Sequence, residues 1–235
     1  PTVFMSGLTK SLNYGLKQVK GDFIARQDAG DISVSERLNK QINKFNEDPH
    51  LGLLGTSIRN ESLNGEFLGN TIFPQNNSEI KDHIEFQNTF WHGTVVLRKS
   101  ISDKLEGYRE QFEMAQDYDF WLRVIENYKV GNLEEILYVR VVDKNSISIK
   151  TKKIQSLYGE IARKAYFSRI SGNTEDLSKL YGIGTEIKRA KLSESKIDSD
   201  YHFYCGRLLL TQRNIKFARK NFLISIKLWP LNFLP

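Results

Sequence analysis

The chain has 235 residues, room for one large domain or for a domain with a smaller appendage, and its 40% hydrophobic and 26% charged residues are ordinary for a globular protein. A single cysteine, Cys205, excludes an internal disulfide and a cysteine-rich zinc site, and no apolar run approaches the length that spans a bilayer. The net charge of +6 favours anionic partners such as phosphorylated small molecules or anionic lipid headgroups, while no RNA- or DNA-binding signature accompanies it.

In chain order, Leu8, Leu12, Leu16 and Val19 recur at helical spacing, and Gly21 is placed to close that helix. Phe23, Ile24 and Ala25 follow as a buried strand that delivers Asp28 and Asp31 into an Ala-Gly turn. A helix leading straight into a buried strand normally returns from an earlier strand of the same sheet. Residues 1–5 are a short candidate for that strand, so an N-terminal part of the domain is expected ahead of this chain.

After the turn, Ser33 and Glu36 have the spacing of a capping box opening a helix, with Leu38, Ile42 and Phe45 inward and Pro49 as its stop. Residues 51–59 read as a buried strand, Asn64-Gly65 as hairpin chemistry, and residues 78–86 as a helix. A short strand is predicted over 94–99, a loop around Gly107, a helix over 117–128 and a last strand over 134–142. Strands and helices interleave to this point, which argues for an α/β layered sheet. From Ser146 onward only helical periods remain: one amphipathic helix over 153–167, then two helices over 199–230 with the spacing of one tetratricopeptide-like (TPR-like) helix pair. The predicted division is therefore 1–150 and 151–235. One such pair cannot stack into a solenoid, so it is expected to pack on the first domain or on a partner.

Three stretches carry chemistry. Asp28 and Asp31 lie at the carboxyl end of a sheet strand, where open α/β sheets bind ligands, and carboxylates there suit Mg2+ or Mn2+. Taken alone, the turn is better explained as a solvated turn before a helix N-terminus, where acidic residues are favourable anyway. Asp117 stands at a helix start with Asp119 and Trp121 close by, a setting for a general base or simply for an N-cap over a core tryptophan. Trp91 and His92 precede a strand, so the imidazole is placed to touch a phosphate or an acceptor hydroxyl, or else is packed. The chain lacks the Gly-x-Ser-x-Gly turn, the Gly-x-Gly-x-x-Gly loop and the Walker loop.

Taken together and in order, LNYGLKQVKGDFIARQDAGDIS, HGTVVLRKSI, GYREQFEMAQDYDFWLRV and YVRVVDKNSISIK resemble the family 2 glycosyltransferases, over residues 8–150. The resemblance implies a GT-A-like (Rossmann-like) mixed sheet flanked by helices, with an all-helical C-terminal extension. It implies that the acidic turn binds the nucleotide diphosphate through Asp28 and Asp31, with Asp31 holding Mn2+ or Mg2+. Asp117 matches the family's catalytic base, Arg140 and residues 146–148 match a closing segment near the donor phosphates, and Trp91 and His92 fall on the acceptor side. Gly30 stands where the family usually carries an acid, and Gln116 where it carries Glu. The segment expected ahead of Leu8 is the one that recognises the nucleotide base.

The implied activity is inverting, metal-dependent transfer of a sugar from a UDP-, GDP- or dTDP-sugar to a glycan or lipid-linked acceptor. The setting would be bacterial surface polysaccharide or lipopolysaccharide synthesis. The location is expected to be cytoplasmic, with the basic tail in peripheral contact with the inner face of the membrane. The alternative is a non-catalytic binding or scaffolding module derived from such an enzyme.

Overall fold

A computed structural model of the chain describes residues 7–180 and 193–230, leaving aside the side chains of residues 147 and 148. The strand expected over residues 1–5 lies outside the described residues. The elements are α1 (Leu8–Gln18), β1 (Phe23–Ala25), β2 (Ile32–Ser33), α2 (Arg37–Glu47), β3 (Leu51–Ser62), β4 (Phe67–Thr71), α3 (Asn77–Ile84), β5 (Val96–Arg98), α4 (Lys99–Lys104), α5 (Gln116–Ile125), β6 (Lys129–Val142), α6 (Ile147–Lys150) and α7 (Lys152–Ile170). The helices α8 (Glu194–Thr211) and α9 (Ile215–Leu228) follow.

The strands form one mixed sheet in the order β1-β5-β3-β6-β2, with β4 paired to β3. The long β3 and β6 run parallel, and every other pairing is antiparallel. Consequently β1, β3 and β6 point the same way, and their carboxyl ends share a rim with the entries to β2 and β5. That rim gathers the Asp28 turn, the His92–Thr94 turn and the last third of β6.

Alternation sends Leu53 and Leu54 of β3 to two cores, and an irregularity in the pairing between Leu51 and Leu53 puts Leu51 on the side of Leu54. Leu53 joins the larger one, with Ile101, Phe120, Leu122, Val124 and Tyr158, under α1, α3, α4, α5 and α7. Leu51 and Leu54 pack with Phe45 of α2 and Val96 on the opposite face. Every residue of α5 except Asp117 is buried, so this helix passes through the core rather than lying on it.

Several expectations are corrected. Gly21 does not cap α1, which ends at Gln18 with Val19 extended as its cap; Lys20 separates that cap from the glycine. The strand β1 is half-buried because it is an edge of the sheet. Ser33 and Glu36 form no capping box: Ser33 is in β2, where its hydroxyl accepts from Arg37 Nε at 2.6 Å, and α2 starts without a side-chain cap. Leu38 is 44% exposed, while Arg37 and Gln41 take the inner face with Phe45. The last strand begins at Lys129, five residues before the expected start, because it pairs with β3 from Leu51 onward.

The mixed sheet flanked by helices and the helical C-terminal extension are both present. Helices α8 and α9 pack on each other and seat Cys205, Leu209 and Ala218 against Leu68 of β4, Val142 of β6 and Ile149. Lys144 pairs with Asp198 at 2.8 Å, and Gln212 Nε2 donates to the Asn70 carbonyl at 3.1 Å. The helix pair thus docks on the sheet, beside the rim described above.

Candidate active site

The turn from Asp28 to Asp31 is short and fixed. Its backbone closes from Asp31 N to the Asp28 carbonyl, and Gly30 adopts φ +87°, a left-handed value that glycine takes without a Cβ clash. Tyr138 of β6 stands under the turn: Asp28 N–H donates to its hydroxyl at 3.1 Å, and the hydroxyl in turn meets the Asp31 carboxylate. Asp31 Oδ1 also accepts from Val141 N at 2.9 Å. Arg26 Nη2 sits 2.8 Å from Asp28 Oδ1. Burial pushes the Asp28 carboxyl up, Arg26 pulls it down, and the Asp31 charge adds to the upward push.

Arg37 fastens this corner from behind. Only 2% exposed, it donates from Nη1 to the Gly93 carbonyl at 2.9 Å and from Nη2 to the Arg26 carbonyl at 3.0 Å. Gly93 must be glycine here, since a Cβ would fall on the Tyr138 hydroxyl and crowd Asp28 Oδ2. The acidic turn, the His92–Thr94 turn and β6 are thereby held as one unit.

Asp117 approaches from the other side. Ala115 precedes α5 at φ +51°, a left-handed conformation costly for a residue with a Cβ, and this strained entry starts the helix at Gln116. Asp117 is the residue of α5 that reaches accessible space, and Asn88 Nδ2 donates to its Oδ2 at 2.9 Å. Desolvation raises its carboxyl to about 6, against hydrogen bonds that lower it, and the Asp28 charge adds to the rise. The two sequence-predicted carboxylate sites, 89 residues apart, thus lie within electrostatic reach of each other.

His92 is packed. Its Nε2 lies 2.9 Å from the Tyr108 hydroxyl and its ring meets Trp121 edge-on at 6.0 Å. Burial, with Arg26 nearby, lowers it to about 3, so the imidazole is neutral at physiological pH and is not an ammonium-like phosphate clamp. Trp91 is covered by Arg140, whose guanidinium carbon is 4.1 Å from the ring centre. Arg140 Nη1 donates to the Tyr204 hydroxyl of α8.

Among the described residues no group of three or more His, Cys, Asp and Glu is clustered to hold a metal ion. Asp28 and Asp31 supply the oxygen donors that Mg2+ or Mn2+ accepts when phosphates and water complete its shell, and their mutual repulsion leaves a field that a cation would relieve. The pair therefore fits a substrate-completed site, not an all-protein cage. Sequence reading missed Arg26, Arg37, Asn88, Tyr108, Tyr138 and Tyr204. Arg37 and Tyr138 carried a faint signal, being polar residues at core-facing periods of α2 and β6.

Residues 4–105 match the family described as Glycosyl transferase family 2. That stretch, under half of the chain, is similar to the family. The O-antigen biosynthesis glycosyltransferase WbnJ of Escherichia coli is 34% identical over 149 residues, 62% of this chain and 58% of its own length. The amylovoran biosynthesis glycosyltransferase AmsE of Erwinia amylovora is 32% identical over 132 residues, 56% of this chain and 49% of its own. The chain thus spans about half the length of these relatives. A solved mannosyltransferase from Pyrobaculum calidifontis, in complex with GDP-Man and Mn2+, aligns over 95% of this chain and 65% of its own, at 12% identity and a TM-score of 0.48.

Proposed function

We propose that this chain carries the diphosphate and acceptor side of a glycosyltransferase that moves a sugar from a nucleotide-diphosphate donor to an acceptor hydroxyl with inversion, in surface polysaccharide or lipopolysaccharide synthesis. The observation that carries the reading is Asp117. It is the residue through which an otherwise buried helix reaches accessible space, and its carboxyl is tuned to about 6 within the field of Asp28. A base at that value accepts a proton near neutral pH, so Asp117 would take the acceptor proton as the hydroxyl attacks the anomeric carbon. Asn88 Nδ2 and the backbone N–H of Tyr118 donate to the carboxylate and orient it.

Asp31, with Asp28 beside it, would hold Mn2+ or Mg2+, and a cation bound there supplies charge neutralisation for the diphosphate. Arg140 would meet the donor phosphates, and Trp91 and His92 would shape the acceptor side as neutral, aromatic walls. The division into a glycosyltransferase domain over 1–150 and a helical region over 151–235 belongs to the same proposal. So does a peripheral membrane contact: Lys216, Arg219, Lys220 and Lys227 of α9 lie among exposed Ile215, Phe217, Leu223 and Ile226, a mixture suited to an anionic bilayer surface. No helix among the described residues is long and apolar enough to cross a membrane.

The ion pair of Arg26 with Asp28 favours a second reading, a binding module without turnover, because one acid of the turn is already neutralised. Titration calorimetry of UDP and GDP with Mn2+ and with chelator, on the unsubstituted chain and on Asp31→Asn, tests both. Metal-dependent binding lost in Asp31→Asn, with sugar transfer lost in Asp117→Asn, is the expected result. Nucleotide binding without any turnover would favour the module, and no binding at all would sink the proposal.

A further inference from the structure

The proposed function uses Arg140 but leaves open what aims it. Arginine carries a planar fork on a long, rotamer-rich side chain, and a two-point contact to phosphate depends on the plane of that fork. On the rim of the sheet, Arg140 is only 5% exposed, and two aromatic residues hold its head. Trp91 lies 4.1 Å from the guanidinium carbon, measured to the ring centre, and the Tyr204 ring lies at 5.0 Å with its hydroxyl accepting from Nη1. Tyr204 belongs to α8, beyond the region similar to family 2.

We propose that Tyr204 is a positioning residue for Arg140, so that the helical tail completes the donor-phosphate side of the site instead of merely covering the sheet. The inference rests on the proposed role of Arg140 and extends it to a different part of the chain. The tail is built to deliver this contact. One turn before and one residue after Tyr204, Tyr201 and Cys205 hydrogen-bond to each other through their side chains, and with Leu209 they seat α8 on Leu68 and Val142. Val142 is two residues from Arg140 on the same strand, so the apolar anchor and the polar contact share one face of β6. The ring of Tyr204 therefore reaches Arg140 from a packed helix, and the hydroxyl selects one orientation of the fork.

The test compares UDP and GDP affinity, with Mn2+, across four variants, each with a melting curve. Tyr204→Phe keeps the ring and removes the acceptor, and about threefold weaker binding is expected. Tyr204→Leu removes both contacts and should weaken binding about tenfold. Tyr201→Leu loosens the same docking of α8 without touching Arg140; it should lower the melting temperature as Tyr204→Leu does while leaving nucleotide affinity unchanged. Arg140→Ala should weaken binding at least as much as Tyr204→Leu. Equal losses in Tyr201→Leu and Tyr204→Leu would reduce the tail to packing and overturn the positioning role. Unchanged affinity in the Tyr204 variants, with a loss in Arg140→Ala, would overturn it while sparing the proposed function. A silent Arg140→Ala, or an unsubstituted chain that binds neither nucleotide, would overturn the assignment of Arg140 and the role of Tyr204 with it.

Discussion

Asp117 and Asp119 stand two residues apart on one helix and meet opposite surroundings. Asp119 is 1% exposed, with Arg123 Nε at 3.1 Å and Arg109 Nε at 3.6 Å from its Oδ2, and Arg109 continues to Glu175 at 2.8 Å. Burial still raises its carboxyl, but the two guanidiniums oppose that rise. Asp117 meets a neutral amide and the charge of Asp28, and no cation leads the causes of its shift. Helical geometry explains the split: two residues turn a side chain roughly 200° about the axis, so one carboxylate faces the arginines of the core and the other the rim. The pairing of Asp119 serves the fold. Among the described residues no cation pairs with Asp117, which suits the proton transfer proposed for it.

The sharpest way to break this contrast is to remove each charge in turn. Asp117→Asn should lower sugar transfer about 100- to 10,000-fold with the melting temperature held or raised, since the amide keeps the Asn88 contact and sheds a poorly solvated charge. Initial-rate assays with a nucleotide-sugar and differential scanning calorimetry read the two effects. Asp119→Ala should do the reverse, costing about 3 to 5 kcal/mol of stability by leaving Arg123 buried without its partner. Denaturant unfolding measures that loss. The double change Asp119→Leu with Arg123→Met should recover part of it, and full stability in Asp119→Ala alone would contradict the structural assignment.

pH sharpens the same contrast. Because the folded Asp117 carboxyl lies at about 6, above its unfolded value near 4, the folded state holds its proton more tightly. Its contribution to stability is therefore fully present below pH 4 and is lost as pH rises through 6, a decline of roughly 3 kcal/mol. Activity runs the other way: the base must be ionised, so kcat/KM should climb tenfold per pH unit below about 6 and level off above it. Subtracting the stability profile of Asp117→Asn from that of the unsubstituted chain isolates the carboxyl. A difference independent of pH from 4 to 7 would remove the basis for calling Asp117 tuned.

Much of the fold was legible because its signals are local. The apolar run from Leu51, the helical period of α1 and the loss of strand pattern after Ser146 each depend on neighbours in sequence, and they returned the layered sheet and the helical extension. Edges and faces were less legible. Whether Phe23–Ala25 is buried depends on how many strands flank it, and whether Leu38 or Arg37 faces inward depends on the carbonyls of Arg26 and Gly93, which only the folded sheet brings to α2. The candidate site divides in the same way. The acidic turn and Asp117 stand out as residue types at element ends, yet their partners Tyr138 and Asn88 lie 110 and 29 residues away. The link from Arg140 to Tyr204 spans 64 residues and two kinds of structure, with no periodicity to announce it.

The smallest predicted effect concerns a third way of settling a carboxylate, by hydrogen bonds without a paired cation. Asp31 accepts from Val141 N–H and meets the Tyr138 hydroxyl, which itself accepts from Asp28 N–H. Tyr138→Phe removes that bridge while keeping the buried ring, so about 1 kcal/mol of stability should be lost. The consequence for the turn should exceed the consequence for the fold. With the bridge gone, Asp28 N–H and the Asp31 carboxylate no longer share a fixed partner, and the two acids can separate. Amide hydrogen exchange at residues 28–31 should accelerate while exchange in β3 stays unchanged. Equal acceleration in β3 would mean that Tyr138 acts through the core, and the turn would then owe its geometry to Arg37 and Gly30 alone.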